Sequence, residues 1–273
     1  MRKFIKGTDD VSGEFAWVMC GSEHIYGHDR NPYHSINFIT AHDGFSLRDL
    51  VSYQDKHNLE NGEENRDGAN DNESWNCGAE GDTQDPKVIF LRKKQMKNLH
   101  AALMLAIGTP MLLMGDEYGH TRRGNNNTWC QDNDLNWFLW DELEKNSEFE
   151  RFYRLLIQFR HQHEIIRRKE FLKDSEVAWH GRVPLKPNWG GENRFLAYTL
   201  KNKRTKEHLY IAFNSHFEPA HIQLPPPPPG KKWYRIIDTS LDSPQDFMED
   251  PKTVPLAHTY DLQDHSTFVA KSL

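Results

Sequence analysis

Ser35-Ile36-Asn37-Phe38-Ile39-Thr40-Ala41, followed at once by His42-Asp43-Gly44, is the stretch whose reading decides the fold. The run is short, mostly apolar and rich in β-branched residues, and it shows little in/out alternation. That texture predicts a strand buried on both faces, as in a parallel sheet covered by helices. It stops abruptly in a charged turn. Beyond the turn, Phe45-Ser46-Leu47-Arg48-Asp49-Leu50-Val51 predicts a helix start, with Ser46 as N-cap and Asp49 three residues on as an Asp-for-Glu capping box. Strand, polar turn and helix make half of a βαβ unit.

Working outward, Gln54 to Asp85 is dense in Asn, Gly, Asp and Glu and follows neither period. A structureless stretch of that length is usually a functional loop. Trp75 inside it argues for order, since a large aromatic is costly to leave in water. Asp85-Pro86 then opens a helix to about Ala106, with Val88, Leu91, Gln95, Leu99 and Leu103 at helical spacing. Gly108-Thr109-Pro110 stops it, and Met111-Leu112-Leu113-Met114 predicts a second buried strand ending in Gly115-Asp116-Glu117-Tyr118-Gly119-His120. A second polar loop, Thr121 to Trp140, precedes a helix from about Glu148 to His163.

From about Val177 the texture changes to short β-rich runs: Phe195–Leu200, Leu209–Phe213, His221–Leu224, Trp233–Ile237 and Thr267–Ala270. Turn-separated strands at such spacing predict an antiparallel β-sandwich. Pro225–Pro229 reads as a stiff loop between two of them. The expected organisation is therefore residues 1–170 as an α/β part and 171–273 as an all-β domain.

Composition agrees with a packed protein. Of 273 residues, 37% are hydrophobic and 12% aromatic, which excludes a disordered or collagenous chain. Ala101 to Met114 is interrupted by Gly108 and Pro110 and is too short to span a bilayer, so no membrane partner is expected. A net charge of −6 offers no basic footprint for nucleic acid. Cys20, Cys77 and Cys130 are too widely spaced for a zinc site, and an odd number gives no disulfide framework. Among the histidines, His161 and His163 sit two apart on a helix and face different ways, so no metal or other cofactor is expected.

Parallel strands whose C-terminal ends carry charged loops are the pattern of a (β/α)8 barrel, whose active site lies on that face. A barrel needs eight such units, and only two are legible here. The residues resolve this count. INFITAHDGFSLRDLVSY, NGEENRDGANDNESWNCGAEG, GTPMLLMGDEYGHTRRGNNNTWCQDNDLNWFLW and PPPGKKWYRIIDTSLDSPQDF resemble the isoamylase-type starch and glycogen debranching enzymes of the α-amylase superfamily, glycoside hydrolase family 13. The resemblance runs from Phe4 nearly to the C-terminus.

It implies that the first strand and the Met111–Met114 strand are the seventh and eighth of a TIM barrel, followed by a C-terminal β-sandwich. It implies that strands one to six, with the family's nucleophilic Asp and proton-donating Glu, precede Met1; neither motif occurs in the chain. It further implies a plastid location for a plant or algal source and a cytoplasmic one otherwise. The implied partner is a branched α-glucan such as amylopectin, glycogen or limit dextrin, and homo- or hetero-oligomers of debranching subunits stay open.

A retaining glycosidase needs a nucleophile and an acid/base carboxyl about 5–5.5 Å apart, and its transition state is oxocarbenium-like. A further fixed carboxylate stabilises that cation. The resemblance gives that role to Asp43, with His42 hydrogen-bonding the sugar. Bottom-up, Asp43 and Glu117 on neighbouring strand ends offer an alternative carboxylate pair, although ordering the second loop is the plainer role for Asp116-Glu117. Trp75, Tyr118, Trp129, Trp137 and Trp140 could stack on glucose rings. Asn125, Asn126 and Asn127 could bond hydroxyls, but consecutive Asn more often form a turn. Two further readings stay open: an α-glucan transglycosylase of the same superfamily, and a non-catalytic glucan-binding or regulatory subunit.

Overall fold

In the computed structural model, which describes residues 1–251 and 254–273, strand β1 (Ile36–Phe38) runs parallel to β2 (Thr109–Met111) with Asn37 opposite Pro110. Both strands were expected to be longer, and β2 to begin at Met111. The ladder runs only from the Ile36–Thr109 pair to the Phe38–Met111 pair, and Leu112 to Met114 continue towards Gly115 without a partner strand among the described residues. Pro110 is tolerated because, among the described residues, β2 is paired on one side only. Burial on both faces was also expected, yet Ile36 is 61% and Phe38 51% exposed. The reason is the same: among the described residues β1 and β2 pair only with each other, and their outer edges are open.

Helix α1 (Arg2–Ile5) and α2 (Ser12–Met19) lead through α3 (Glu23–Tyr26) into β1. Between β1 and β2 lie α4 (Leu47–Leu50) and α5 (Pro86–Leu105). The anticipated Ser46 cap is present, with Asp49 N–H donating to Ser46 Oγ at 3.2 Å. Helix α5 starts as its sequence dictates, Asp85 accepting from Lys87 N–H at 2.9 Å ahead of Pro86. Its second half is buried all round, so its polar side chains find carbonyls. Gln95 donates to Ile5 O at 3.0 Å and Asn98 to His265 O at 2.7 Å.

After β2 come α6 (Trp140–Lys145), a short helix at the end of the stretch read as loop, and α7 (Ser147–Gln162). Helix α7 buries Phe149, Phe152, Tyr153, Leu156 and Phe159 on one stripe. Its Arg160 Nη1 donates to Met104 O and Ala106 O, each at 2.6 Å, and so caps the end of α5.

The remaining strands are β3 (Val177–His180), β4 (Phe195–Asn202), β5 (Glu207–Asn214), β6 (Ala220–Gln223), β7 (Trp233–Asp238), β8 (Thr259–Leu262) and β9 (Ser266–Ser272). They form an antiparallel five-stranded sheet, β3-β4-β5-β9-β7, and a two-stranded one, β6-β8. Leu196, Tyr198, Leu200, Ile211, Phe213 and Val269 on one face of the large sheet join the core of α2, α5 and α7. Phe195, Ala197, Tyr210, Phe268 and Ala270 on the other face meet Ala220, Ile222 and Leu262 of the small sheet. Period-2 packing on two apolar faces explains why these strands read as continuous hydrophobic runs.

The α/β part and the sheets share one core rather than meeting at a polar seam. Phe15 stacks on Phe4 with centroids 4.2 Å apart and meets Phe213 edge-on at 5.1 Å. Each such buried ring contributes on the order of 1.5–3 kcal/mol. Asp246, fully buried, lies 2.6 Å from Lys97 Nζ and 3.2 Å from Arg151 Nη1, tying α5 and α7 to the loop after β7. No helix among the described residues is long and apolar enough to cross a membrane.

Candidate active site

The chain leaving β1 is buried at Ile39 and Thr40 and surfaces at His42 and Asp43, whose side chains are 88% and 78% exposed. His42 Nε2 and Asp43 Oδ2 are 3.5 Å apart. Two side groups of different chemistry therefore project together from the C-terminal end of a parallel strand, over a turn that is itself pinned. Gly44, at φ +92°, supplies the left-handed residue that the turn requires, and its N–H donates to Asn126 O at 2.9 Å.

Beneath the turn lies Arg122, only 7% exposed, whose Nη1 donates to the main-chain carbonyl of His42 at 2.9 Å. Burial lowers its pKa, while the charges of Asp49, Asp116 and Asp43 oppose that shift. Asp49 accepts from Thr121 Oγ1 at 2.5 Å and from Arg122 N–H at 2.7 Å, so the residue expected to complete a capping box instead reaches across to the second loop. Burial pushes its carboxyl up, against the lowering effect of its hydrogen bonds to Thr121, Arg122 and Ser46.

Asp116 performs a similar task at the strand ends. Its Oδ1 accepts from Leu47 N–H at 2.9 Å and its Oδ2 accepts from Thr40 Oγ1, joining the end of β2 to the exit of β1 and the start of α4. Burial raises its pKa to about 7, partly offset by those two donors, with neighbouring Glu117 adding to the rise. Glu117 itself turns back, Oε2 accepting from Gly115 N–H at 2.8 Å. Asp116 and Glu117 are thus engaged in ordering the second loop.

The two long loops are bound by amides. Asn58 and Asn126 pair reciprocally: Asn58 Nδ2 donates to Asn126 Oδ1 at 2.8 Å, and Asn126 N–H donates to Asn58 Oδ1 at 3.0 Å. Asn126 Nδ2 also donates to Ala69 O at 2.8 Å and Asn72 Oδ1 at 3.0 Å. Gly68 is required beside it, since a Cβ there would stand 2.1 Å from Asn126 Oδ1. Asn125, 2% exposed, exchanges a 2.8 Å hydrogen bond with Asn61 and accepts from Asn127 N–H at 2.9 Å.

The other residues singled out by sequence sit as follows. Trp75 packs against Phe217 (centroids 6.2 Å) and His265 (5.1 Å), on the sheet side of the molecule. Tyr118 is 2% exposed, its hydroxyl accepting from Leu139 N–H at 3.0 Å and 3.0 Å from His120 Nδ1. Trp129, Trp137 and Trp140 in the second loop are 74%, 55% and 72% exposed. The structure brings His42 and Asp43 together; it places Asn125 in the amide lattice and Trp75 and Tyr118 in packed positions. Arg122 went unnoticed in the sequence, and Asp49 and Asp116 were read only as a helix cap and a loop-ordering residue, because the partners of all three lie about 70–80 residues away. No group of three metal-ligating side chains is present among the described residues.

The same arrangement of an α/β part joined to antiparallel sheets is found in solved pullulanase structures. The pullulanase from Bacillus acidopullulyticus superposes with a TM-score of 0.71 over 98% of this chain and 27% of its own, at 19% identity. A pullulanase complexed with maltotetraose from Anoxybacillus sp. LM18-11 gives 0.68 over 98% and 32%, at 18% identity. These likenesses define the fold.

Sequence likenesses are higher. Residues 178–273 match the family model Isoamylase 1-3, C-terminal. The chain is 51% identical to Isoamylase 1, chloroplastic, of Arabidopsis thaliana over 90% of its length and 31% of the relative's. It is 46% identical to Isoamylase 3, chloroplastic, of Oryza sativa subsp. japonica over 100% and 34%. Against the glycogen operon protein GlgX homolog of Mycobacterium tuberculosis it is 38% identical over 88% and 37%. Residues 178–273 thus carry the likeness to a C-terminal isoamylase domain, and the chain as a whole is similar to part of the isoamylase-type debranching proteins. It spans about a third of the length of these curated relatives.

Proposed function

We propose that this chain contributes the transition-state-stabilising carboxylate and the C-terminal β-domain to a retaining glycoside hydrolase that cleaves α-1,6 branch linkages of starch- or glycogen-type glucans. The observation that carries the proposal is the exposed His42-Asp43 pair on a strand's C-terminal end, fixed from below by Arg122 and Asn126. The backbone turn that presents Asp43 is held in place before any ligand binds. A carboxylate held so pays its reorganisation before the sugar arrives and favours the oxocarbenium-like transition state over the neutral ground state. His42 offers a ring nitrogen to a sugar hydroxyl beside it.

In this reading β1 and β2 are the seventh and eighth strands of a (β/α)8 barrel, and the sequence changes from barrel to β-domain near residue 170. Their open edges, with Ile36 and Phe38 exposed, suit strands that pair further within a larger sheet. This reading draws the nucleophile and the acid/base carboxyl from residues other than these 273. Trp75, Tyr118 and Asn125 hold the loops in shape, and the exposed Trp129, Trp137 and Trp140 are the better sugar platforms. The names of the plant relatives favour a plastid location if the source is a plant or alga.

The test is product analysis by the full-length protein on branched dextrin. Release of free linear chains supports hydrolysis, transfer of chains to new positions supports a transglycosylase, and binding without turnover supports a regulatory subunit.

A further inference from the structure

Away from the His-Asp turn, a groove of about 450 Å³ lies between α2 and the edge strand β3, within the ~300–1,000 Å³ range of small-ligand sites. Its walls carry three indoles: Trp17, 50% exposed; Trp189, 46% exposed; and Trp179, partly buried. Trp179 and Trp189 meet edge to face with centroids 5.5 Å apart. Two exposed carboxylates, Glu23 and Asp174, stand at the rim, and neither forms an ion pair among the described residues.

Two features show that this is a held surface rather than loose side chains. The loop carrying Trp189 is braced: Asn193 Nδ2 donates to Asn188 O at 2.7 Å, Gly190 N–H to Asn188 Oδ1 at 2.9 Å, and Asp10 N–H to Gly191 O at 2.7 Å. The floor is also open by composition. Gly13 lies within α2, where Gly costs stability relative to Ala, and a Cβ there would meet nothing within 4 Å. The groove is separate from the open strand edges. Glu14, Phe15 and Val18 turn toward Ile36 and Phe38, whereas Gly13, Ala16, Trp17 and Cys20 turn toward the groove.

We infer that the Trp17–Trp179–Trp189 groove is a second α-glucan-binding site, distinct from the cleavage site, that holds a linear segment of the branched substrate. Flat indoles match the apolar faces of glucose rings, and rim carboxylates accept from outward-facing hydroxyls, a combination that suits a neutral polyol better than an anion or a cation. Braced aromatics bind with little ordering cost. The inference rests on the reading of the chain as part of a glucan-acting enzyme, and it assigns to that enzyme a means of staying on a large polymer.

The experiment compares the full-length wild-type protein with Trp189→Ala and Gly13→Leu by mobility in glycogen-containing gels and by titration with maltoheptaose. Gly13→Leu fills the groove while improving helix propensity, so its effect is not one of misfolding. Expected is about tenfold weaker glycogen retardation for each variant, the scale of one lost stacking contact. Cleavage of a small branched oligosaccharide stays unchanged. Retardation equal to wild type in both variants, or no retardation of the wild type, overturns the inference while leaving the debranching reading intact. Groove-dependent retardation with no hydrolysis by any form overturns the debranching reading and keeps the groove.

Discussion

Arg122 donates to the main-chain carbonyl of His42 at 2.9 Å, from a position where its own side chain is almost wholly buried. A residue of the second loop thus sets the height of the turn that presents Asp43. Its Nε is buried without a hydrogen-bond partner among the described residues, so the guanidinium is held by this contact and by surrounding carboxylates rather than by a saturated network.

Arg122→Met in the full-length protein is expected to lower kcat about 10–100-fold with little change in KM, because misplacement of a preorganised group by an ångström has that scale of effect. Arg122→Lys restores only part, since an ammonium lacks the planar fork. Steady-state kinetics beside a thermal melt check this. A change confined to the melting temperature would mean that Arg122 only supports the fold.

Asp116 makes stability depend on pH. Its folded pKa of about 7 lies above the ordinary value of 3.8, so the folded state holds the proton more tightly. The favourable contribution is fully present below about pH 4 and is lost as pH rises through about 7. Asp116→Asn keeps an acceptor for Leu47 N–H and cannot ionise. Melting curves across that window should therefore show the variant gaining on wild type as pH rises. A constant difference from pH 4 to 8 would show that Asp116 does not titrate in that window.

Asn126→Ala removes the amide that bonds Asn58, Asn72 and Ala69 and leaves buried partners unsatisfied. A loss of about 2–4 kcal/mol is expected from several such groups at roughly 1–3 kcal/mol each. Limited proteolysis should then cut within residues 54–85 before any global melting. Resistance equal to wild type would show that the loop is held by other contacts.

Trp75→Ala is expected to destabilise the protein by about 2–4 kcal/mol, at the lower side of values for fully buried tryptophan. KM for branched dextrin should hold steady, because the ring faces Phe217 and His265. A raised KM with unchanged stability would return Trp75 to the sugar.

Elements with strong periodicity were legible in the sequence. Helix α5 with its Asp85-Pro86 start, helix α7, and strands β4, β5, β7 and β9 all stand close to where apolar spacing puts them. Strand β8, Thr259–Leu262, was missed because three of its four residues are partly or fully exposed and its run is too short to show a period. Helix α6 fell in the short gap between the end of the loop at Trp140 and the expected helix start near Glu148, too short to show a period. The exposure of Ile36 and Phe38 followed from missing sheet partners, which composition alone does not report.

The site was legible in part for a related reason. His42 and Asp43 announce themselves by standing at the end of an apolar strand. The groups that hold them are joined only through the fold: Asp116 to Leu47, Asp49 to Arg122, Asn58 to Asn126, each across nearly 70 residues or more. Three consecutive asparagines carry no local hint that one of them bonds Gly44, Asn58, Ala69 and Asn72.

The most direct measurement is the debranching rate of full-length Asp43→Asn on amylopectin, alongside wild type, with folding verified by its melt. Asparagine keeps the shape and removes the charge. The account predicts a fall in kcat of about 100- to 1,000-fold with substrate binding largely retained, the scale for losing one preorganised electrostatic contact. A variant that releases linear chains at the wild-type rate would contradict it.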